Sequence, residues 1–254
     1  MTTEPVVRPV ALVTGAGRRR GIATAIAQRL AETGWEVAFT HLGRYDVRMP
    51  WGTDAGAVDE LAERLHAAGA RVCQIHADFE NVTTPAQVFD QVLRELGPVS
   101  ALVLGHCESV ATGIMDTDLE SFDRHFAVNA RAGWLLIREY ARQFPGPPGS
   151  GRIVGLTSDH TAGNLPYGAS KGALDRIVIA AAREFSGLGI SANCVNPGPT
   201  DNGWMSEQLR VELTASTPLG RLGQPRDAAN LVAFLCSPDG GWINGQLIHS
   251  DGGL

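Results

Sequence analysis

Thr14-Gly15-Ala16-Gly17-Arg18-Arg19-Arg20-Gly21-Ile22-Ala23 is the stretch that decides the fold. Before it, residues 6–13 form an apolar, β-rich run interrupted by Arg8 and Pro9. After it, Ile22, Ala25, Ile26, Arg29 and Leu30 recur at helical spacing until Gly34, which stops the helix. A strand, a glycine-rich turn and a helix in that order place backbone N–H groups and a helix N-terminus where a pyrophosphate binds. Glycines alone also close ordinary loops. Their position between a strand and a helix is what carries the nucleotide reading.

Outward from this turn the same alternation repeats. Strand-like runs are expected at 35–40, 71–76, 99–104, 153–157, 190–195 and 243–249. Helical patterns are expected at 55–68, 84–96, 119–144, 167–186 and 227–236, with short helices within 203–222. Residues 41–54 and 145–151 read as loops. Alternating strands and helices predict an α/β fold: one doubly wound, Rossmann-type parallel sheet with helices on both faces. No linker or internal repeat interrupts residues 1–254, so a single domain is expected, with a substrate lid near 199–222. In such sheets ligands bind at the carboxyl ends of strands. Gly15, Asp78, Gly105, Ser158 and Pro197 all follow strand ends and should face one crevice.

Composition narrows the partners. A net charge of −6 argues against nucleic acid, which usually demands a basic face. No apolar run approaches the ~20 residues of a membrane span. The first residues lack the basic-then-apolar pattern of a signal segment, so a cytoplasmic protein is expected. Cys73, Cys107, Cys194 and Cys236 are far apart, with no metal-binding spacing, and a reducing compartment suits them.

Chemistry concentrates at 152–172. Ser158 sits at a strand end; Tyr167 opens a helix, and Lys171 follows four residues later on the same face. An ammonium ~4–5 Å from a phenol is worth roughly 3–4 kcal/mol at an effective dielectric of ~20. That would move the phenol from ~10 towards physiological pH, where it exchanges protons with an alkoxide or carbonyl. Ser158 would hold the same oxygen. A Tyr-x-x-x-Lys pair alone is usually an ordinary helix face; the serine and the nucleotide turn upstream give it meaning.

Taken together, Thr14-Gly15, Gly21-Ile22, Asp78, Asn129, Ser158, Tyr167-Gly-Ala-Ser-Lys171, Asn196-Pro-Gly198 and Asp251-Gly-Gly resemble the short-chain dehydrogenase/reductase family. The 3-oxoacyl-carrier-protein reductase-like members look closest. The resemblance implies an enzyme that interconverts a carbonyl and a secondary alcohol by hydride transfer from a nicotinamide cofactor. It implies Tyr167 as general acid/base, Lys171 as the residue that lowers its pKa and holds the nicotinamide ribose, and Ser158 as the orienting hydroxyl. It also implies Asn129 as holder of a relay water. The cofactor contacts implied are Gly15, Gly17, Arg19, Arg20, Gly21, Ile22, His41, Asp78, Gly105, Tyr167, Lys171, Pro197, Gly198 and Thr200. No metal is expected. A homo-oligomer is implied, most naturally a tetramer built on 119–144, 167–186 and 243–249.

Departures from the family pattern matter. Five residues separate Gly15 from Gly21 where three are usual, and Ala23 replaces a glycine, a turn also seen in enoyl-carrier-protein reductases. Gly105-His106-Cys107-Glu108 stands where Asn-Asn-Ala-Gly is usual. Ser158 precedes Tyr167 by nine residues, not about thirteen. A non-catalytic NADP(H)-binding protein of the same fold and an enoyl reductase-like activity are the alternatives. His106 is expected to pack or cap, His160 to be solvated, and Trp204 and Met205 to line an apolar pocket or pack the lid shut.

NADP(H) is expected over NAD(H). NAD-binding members keep an acid near the end of the second strand for the ribose hydroxyls. Here that strand runs into Thr40-His41-Leu42, and the next acid is Asp46, several residues into the loop. The turn instead offers Arg18, Arg19 and Arg20 as guanidiniums for the 2′-phosphate, with Arg19 and Arg20 equally placed candidates and His41 as a further contact.

Overall fold

A computed structural model of the chain describes residues 8–254. Val6 and Val7 of the first expected strand, and the residues read for a signal segment, lie outside them. Seven strands form one parallel sheet in the order β3-β2-β1-β4-β5-β6-β7. They are β1 (Val10–Val13), β2 (Glu36–His41), β3 (Val72–His76), β4 (Val99–Leu104), β5 (Gly151–Leu156), β6 (Ile190–Asn196) and β7 (Leu247–His249). The chain reverses its direction of travel across the sheet between β1 and β4, which are hydrogen-bonded neighbours. That switch point opens a crevice at the strand ends.

Side-chain alternation builds two cores. Val10 and Leu12 of β1 pack on one face, and Ala11 and Val13 on the other. The first face is covered by α4 (Thr84–Glu95), α6 (Ala132–Gln143) and α7 (Leu165–Glu184). The second is covered by α1 (Ile22–Glu32), α3 (Ala57–Ala67) and α9 (Pro225–Cys236). Burial on both faces explains why the strands read as continuous apolar runs. Among the described residues no helix is long and apolar enough to cross a membrane.

Four expectations need correction. The expected loop 41–54 contains a short helix, α2 (Gly43–Val47). The expected single helix 119–144 is three pieces: α5 (Leu119–His125), a π-helical turn (Phe126–Arg131) and α6. The π turn coincides with the Val128 carbonyl accepting from the His106 ring, a side chain inserted at the helix ladder. The last strand shrinks to Leu247–His249; upstream of it, main-chain bonds at Gly245 and Gln246 are interspersed with side-chain bonds to β6. Asn193 bonds the Ile243 carbonyl and the Gln246 N–H, and Asn244 accepts from the Ala192 N–H. The region 203–222 holds one helix, α8 (Glu207–Ser216), capped by the Ser206 hydroxyl.

Candidate active site

A cleft opens at the β1/β4 switch point. Its floor is the glycine turn. Gly15 has φ +85°, and a side chain there would strike the His106 backbone at 2.6 Å, so only glycine fits. Gly105 is equally confined, since a Cβ would meet the Thr14 carbonyl at 2.7 Å. Gly17 differs: a Cβ there would meet only the His41 side chain at 3.8 Å, so its glycine leaves open space along the cleft wall. Gly21 and Ile22 line the cleft where α1 begins.

The three arginines of the turn part company. Arg19 binds Asp54 and Glu60 away from the cleft. Arg20 reaches Asp201 at 2.7 Å. Neither lines the cleft, and the one that does is Arg18. Its guanidinium carbon sits 5.3 Å from the Trp51 ring and 5.5 Å from the Trp204 ring, which stack on each other at 4.9 Å. Burial lowers its pKa despite Asp46 at 3.9 Å, and its Nη1 is buried with no hydrogen-bond partner. Asp46 itself is carried into the cleft wall by α2 rather than lying out in a loop. Burial raises its pKa, and the Trp51 indole N–H donates to it at 2.9 Å.

Other expected contacts divide likewise. His41 lines the cleft beside His76, ring centroids 5.6 Å apart, and burial lowers its pKa. Asp78 lines it while accepting from the Glu80 N–H and pairing with Arg44 at 3.2 Å. Pro197 is on the wall. Gly198 and Thr200 turn inward: a side chain at Gly198 would collide with Asp251, and the Thr200 hydroxyl bonds the carbonyls of Pro197 and Gly198 at 3.3 Å.

At the far end stand Tyr167 and Lys171. Pro166 pre-sets the first turn of α7, which places Tyr167 near the helix start. Lys171 is 2 % exposed, and its Nζ donates to the Leu156 carbonyl at 2.8 Å, 5.7 Å from the Tyr167 ring. Burial lowers its pKa. The expected lowering of the phenol is not reached in the free protein. Burial pushes Tyr167 well above the usual tyrosine value, and the Ser158 hydroxyl only partly offsets this. The ammonium is directed at a carbonyl instead of the phenol. Ser158 lies two residues beyond the end of β5 and accepts from the His160 N–H at 3.2 Å. The short loop 158–164 rests on α7 so tightly that a side chain at Gly168 would collide with the His160 carbonyl.

Asn129, on the π turn, is fully engaged. Its Oδ1 accepts from the Glu108 N–H at 2.7 Å, and its Nδ2 donates to the Glu108 carbonyl and to the Ser170 hydroxyl, both at 2.8 Å. The Ser170 hydroxyl in turn donates to the Tyr167 carbonyl at 2.8 Å. Both side-chain N–H groups are thus used, and the side chain fixes the turn after β4. Tyr45, Arg48 and Glu108 are cleft residues that sequence reasoning did not select, and Arg18 was singled out only as part of the arginine run; Glu108 had a signal, as a carboxylate where the family keeps glycine.

A dinucleotide-type cleft ending at the Tyr167–Lys171 pair defines the class as a nucleotide-dependent oxidoreductase. A family model described as Enoyl-(Acyl carrier protein) reductase matches residues 15–254. The chain is 36% identical to an uncharacterized oxidoreductase, YjdA, of Bacillus subtilis, covering 96% of each. It is 35% identical to an NADPH-dependent aldehyde reductase-like protein of Arabidopsis thaliana, covering 98% of this chain and 95% of that one. A short chain dehydrogenase from Burkholderia cenocepacia, solved in complex with NADP, superposes with a TM-score of 0.86 at 31% identity, covering 98% and 99%. The chain belongs to the short-chain dehydrogenase/reductase family and is an oxidoreductase.

Proposed function

We propose that the protein interconverts a carbonyl and a secondary alcohol using NADP(H), with Tyr167 as the general acid/base. The observation that carries this reading is the placing of Tyr167 and Lys171 on the same cleft as the glycine turn and Arg18. The residues fit the cofactor. The open space at Gly17 admits a phosphate close to the backbone, and the unpartnered Arg18 Nη1 offers a charge-assisted donor. A solved relative's complex with NADP and another's name as an NADPH-dependent reductase support the same choice. The nicotinamide, when bound, supplies the hydride. In reduction, the neutral Tyr167 hydroxyl gives its proton to the substrate oxygen, which Ser158 holds by a hydrogen bond. Lys171 stabilises the phenolate left behind and reaches the cofactor ribose. Ketones of the 3-oxoacyl-thioester type are the substrate class favoured by the sequence resemblance, and residues 199–222 act as the lid over them. The lid residue Trp204 forms part of the cleft wall. A homo-oligomer is part of this reading.

The test is NADPH oxidation against a panel of aldehydes, ketones, 3-oxoacyl thioesters and enoyl thioesters. Turnover of a carbonyl that Tyr167→Phe abolishes, with NADPH affinity kept within a few-fold, is expected. Turnover of enoyl thioesters alone would replace the ketone reading, and NADPH binding without any turnover would replace it with a non-catalytic one. For the cofactor, Arg18→Ala should cut the NADPH over NADH ratio of kcat/KM at least tenfold, consistent with the ~1.5–3 kcal/mol of one charged hydrogen bond. A wild-type ratio below one would overturn the preference.

A further inference from the structure

Residues 42–54 form a strap that bridges from the end of β2 to the turn after β4 and to Trp204. Tyr45, Asp46 and Arg48 form part of the wall that also includes Gly15 at one end and Tyr167 at the other. Three contacts fasten the strap to the opposite side. The Tyr45 hydroxyl donates to the Ser109 carbonyl at 2.9 Å. Trp51 stacks on Trp204, with the planes 9° apart. Arg48 Nη2 lies 3.0 Å and 2.8 Å from the two carboxylate oxygens of Glu108.

The last contact differs in kind from the others. Glu108 is 3 % exposed, and it stands at a position where a glycine would offer no side chain. A carboxylate so buried is costly without its cation, so lifting the strap exposes the pair to separation at both ends. Glu108 is also fixed from behind. Asn129 holds both its N–H and its carbonyl, and Asn129 is linked through Ser170 to the backbone of Tyr167. The strap is therefore tied, through one carboxylate, to the helix that carries the acid/base. A ligand extending from the glycine turn to Tyr167 would run along the wall that this strap forms.

We propose that Arg48 and Glu108 form a latch that closes the 42–54 strap over the dinucleotide and sets how fast it enters and leaves. The proposal rests on the cofactor reading given above. Arg48 acts through Glu108 on the turn that Asn129 holds, so both are positioning residues and not catalytic ones. Breaking the latch opens the strap in the free protein and shortens the residence of the bound cofactor.

Two measurements on Arg48→Gln, Glu108→Gln and the charge-swapped Arg48→Glu/Glu108→Arg protein test this. Hydrogen exchange of the cofactor-free proteins reads the strap directly, and the sheet amides in the same data report that each variant is folded. Stopped-flow NADPH fluorescence reads the dissociation rate constant. Each single variant should speed exchange across 43–52 and NADPH release at least tenfold, and the swap should bring both back to within threefold of wild type. Single variants that stay within twofold of wild type would overturn the latch, as would a swap no better than the singles. Wild-type protein that binds no NADPH would sink the cofactor reading, and the exchange data would still decide whether the latch exists.

Discussion

The Thr14 hydroxyl and the His106 ring meet at 2.7 Å, joining the end of β1 to the turn after β4. The other ring nitrogen lies 3.0 Å from the Val128 carbonyl on the π turn. A carbonyl only accepts, so Nε2 carries the proton and Nδ1 accepts from Thr14. One imidazole thus spans the gap that an asparagine bridges in the family pattern, and the departure at 105–108 is a structural substitution.

That bridge makes the protein acid-labile. Burial pushes the His106 pKa down to about 3, whereas an unfolded histidine titrates near ~6.5. Between those values the unfolded chain holds a proton that the folded chain refuses. Stability therefore falls as pH falls through that window, by at most ~1.4 kcal/mol per pH unit for this group. Urea unfolding from pH 7.5 to 4 should show the slope. His106→Asn should be less stable at pH 7.5 yet lose less on acidification; an unchanged slope would clear His106. His41 and His125, also held down by burial, add to the wild-type slope in the same direction.

The pH dependence of turnover should reflect the elevated Tyr167 phenol. Reduction needs the protonated form, which burial favours. kcat/KM for carbonyl reduction should be flat from pH 6 to 9, while alcohol oxidation should rise roughly tenfold per pH unit over the same range. A reduction rate that falls with an apparent pKa near neutrality would show that the bound cofactor overcomes burial.

Gly168→Ala adds one methyl group where the His160 carbonyl already lies. The 158–164 loop must move, and with it Ser158. A displacement of about 1 Å at a reacting group costs on the order of a hundredfold in rate. Steady-state kinetics should show that loss in kcat, with circular dichroism unchanged. Activity within twofold of wild type would mean the loop is free to shift.

Arg226 grips Glu32 with both nitrogens, at 3.0 and 2.6 Å, and so ties α9 to α1. The Arg226 hydrogen bond lowers the Glu32 pKa. The pair's contribution is present above the ordinary glutamate range and lost as pH falls through the lowered value. Glu32 is largely exposed, so solvent screening keeps the contribution to roughly 0.5–1 kcal/mol. Glu32→Gln should be destabilised by that amount at pH 7, and the difference from wild type should shrink as pH falls below the ordinary glutamate range. A difference that persisted at pH 3 would point to packing instead.

The sheet was legible because its strands are sealed at their ends. Val99–Leu104 lies between Gly97-Pro98 and Gly105, and its bounds fall where the apolar run does. The cleft's location was legible for the same reason, since strand ends are readable. Where side chains point was not. Arg18, Arg19 and Arg20 are indistinguishable by type, and their directions are set by Asp54, Glu60 and Asp201, residues far along the chain. The Arg48–Glu108 pair spans sixty residues and leaves no local pattern. The Lys171–Tyr167 spacing was correct, but spacing does not reveal that a strand carbonyl captures the ammonium.

The π turn at Phe126–Arg131 also acts as a phase correction. Each helical residue advances the side-chain direction by about 100°, and an apolar stripe is hardly wider than that. The wide turn takes up one residue more than an α-helical turn would, so α6 keeps the face it would present if α5 ran straight into it. Were the same residues wound as regular α-helix, everything downstream would rotate by a full stripe width. Leu136 and Tyr140, now fully buried against the sheet, would swing toward solvent, and polar neighbours would face the core. Loss of one residue together with the π turn would leave their direction unchanged, so the segment tolerates that deletion better than a change that straightens it at constant length.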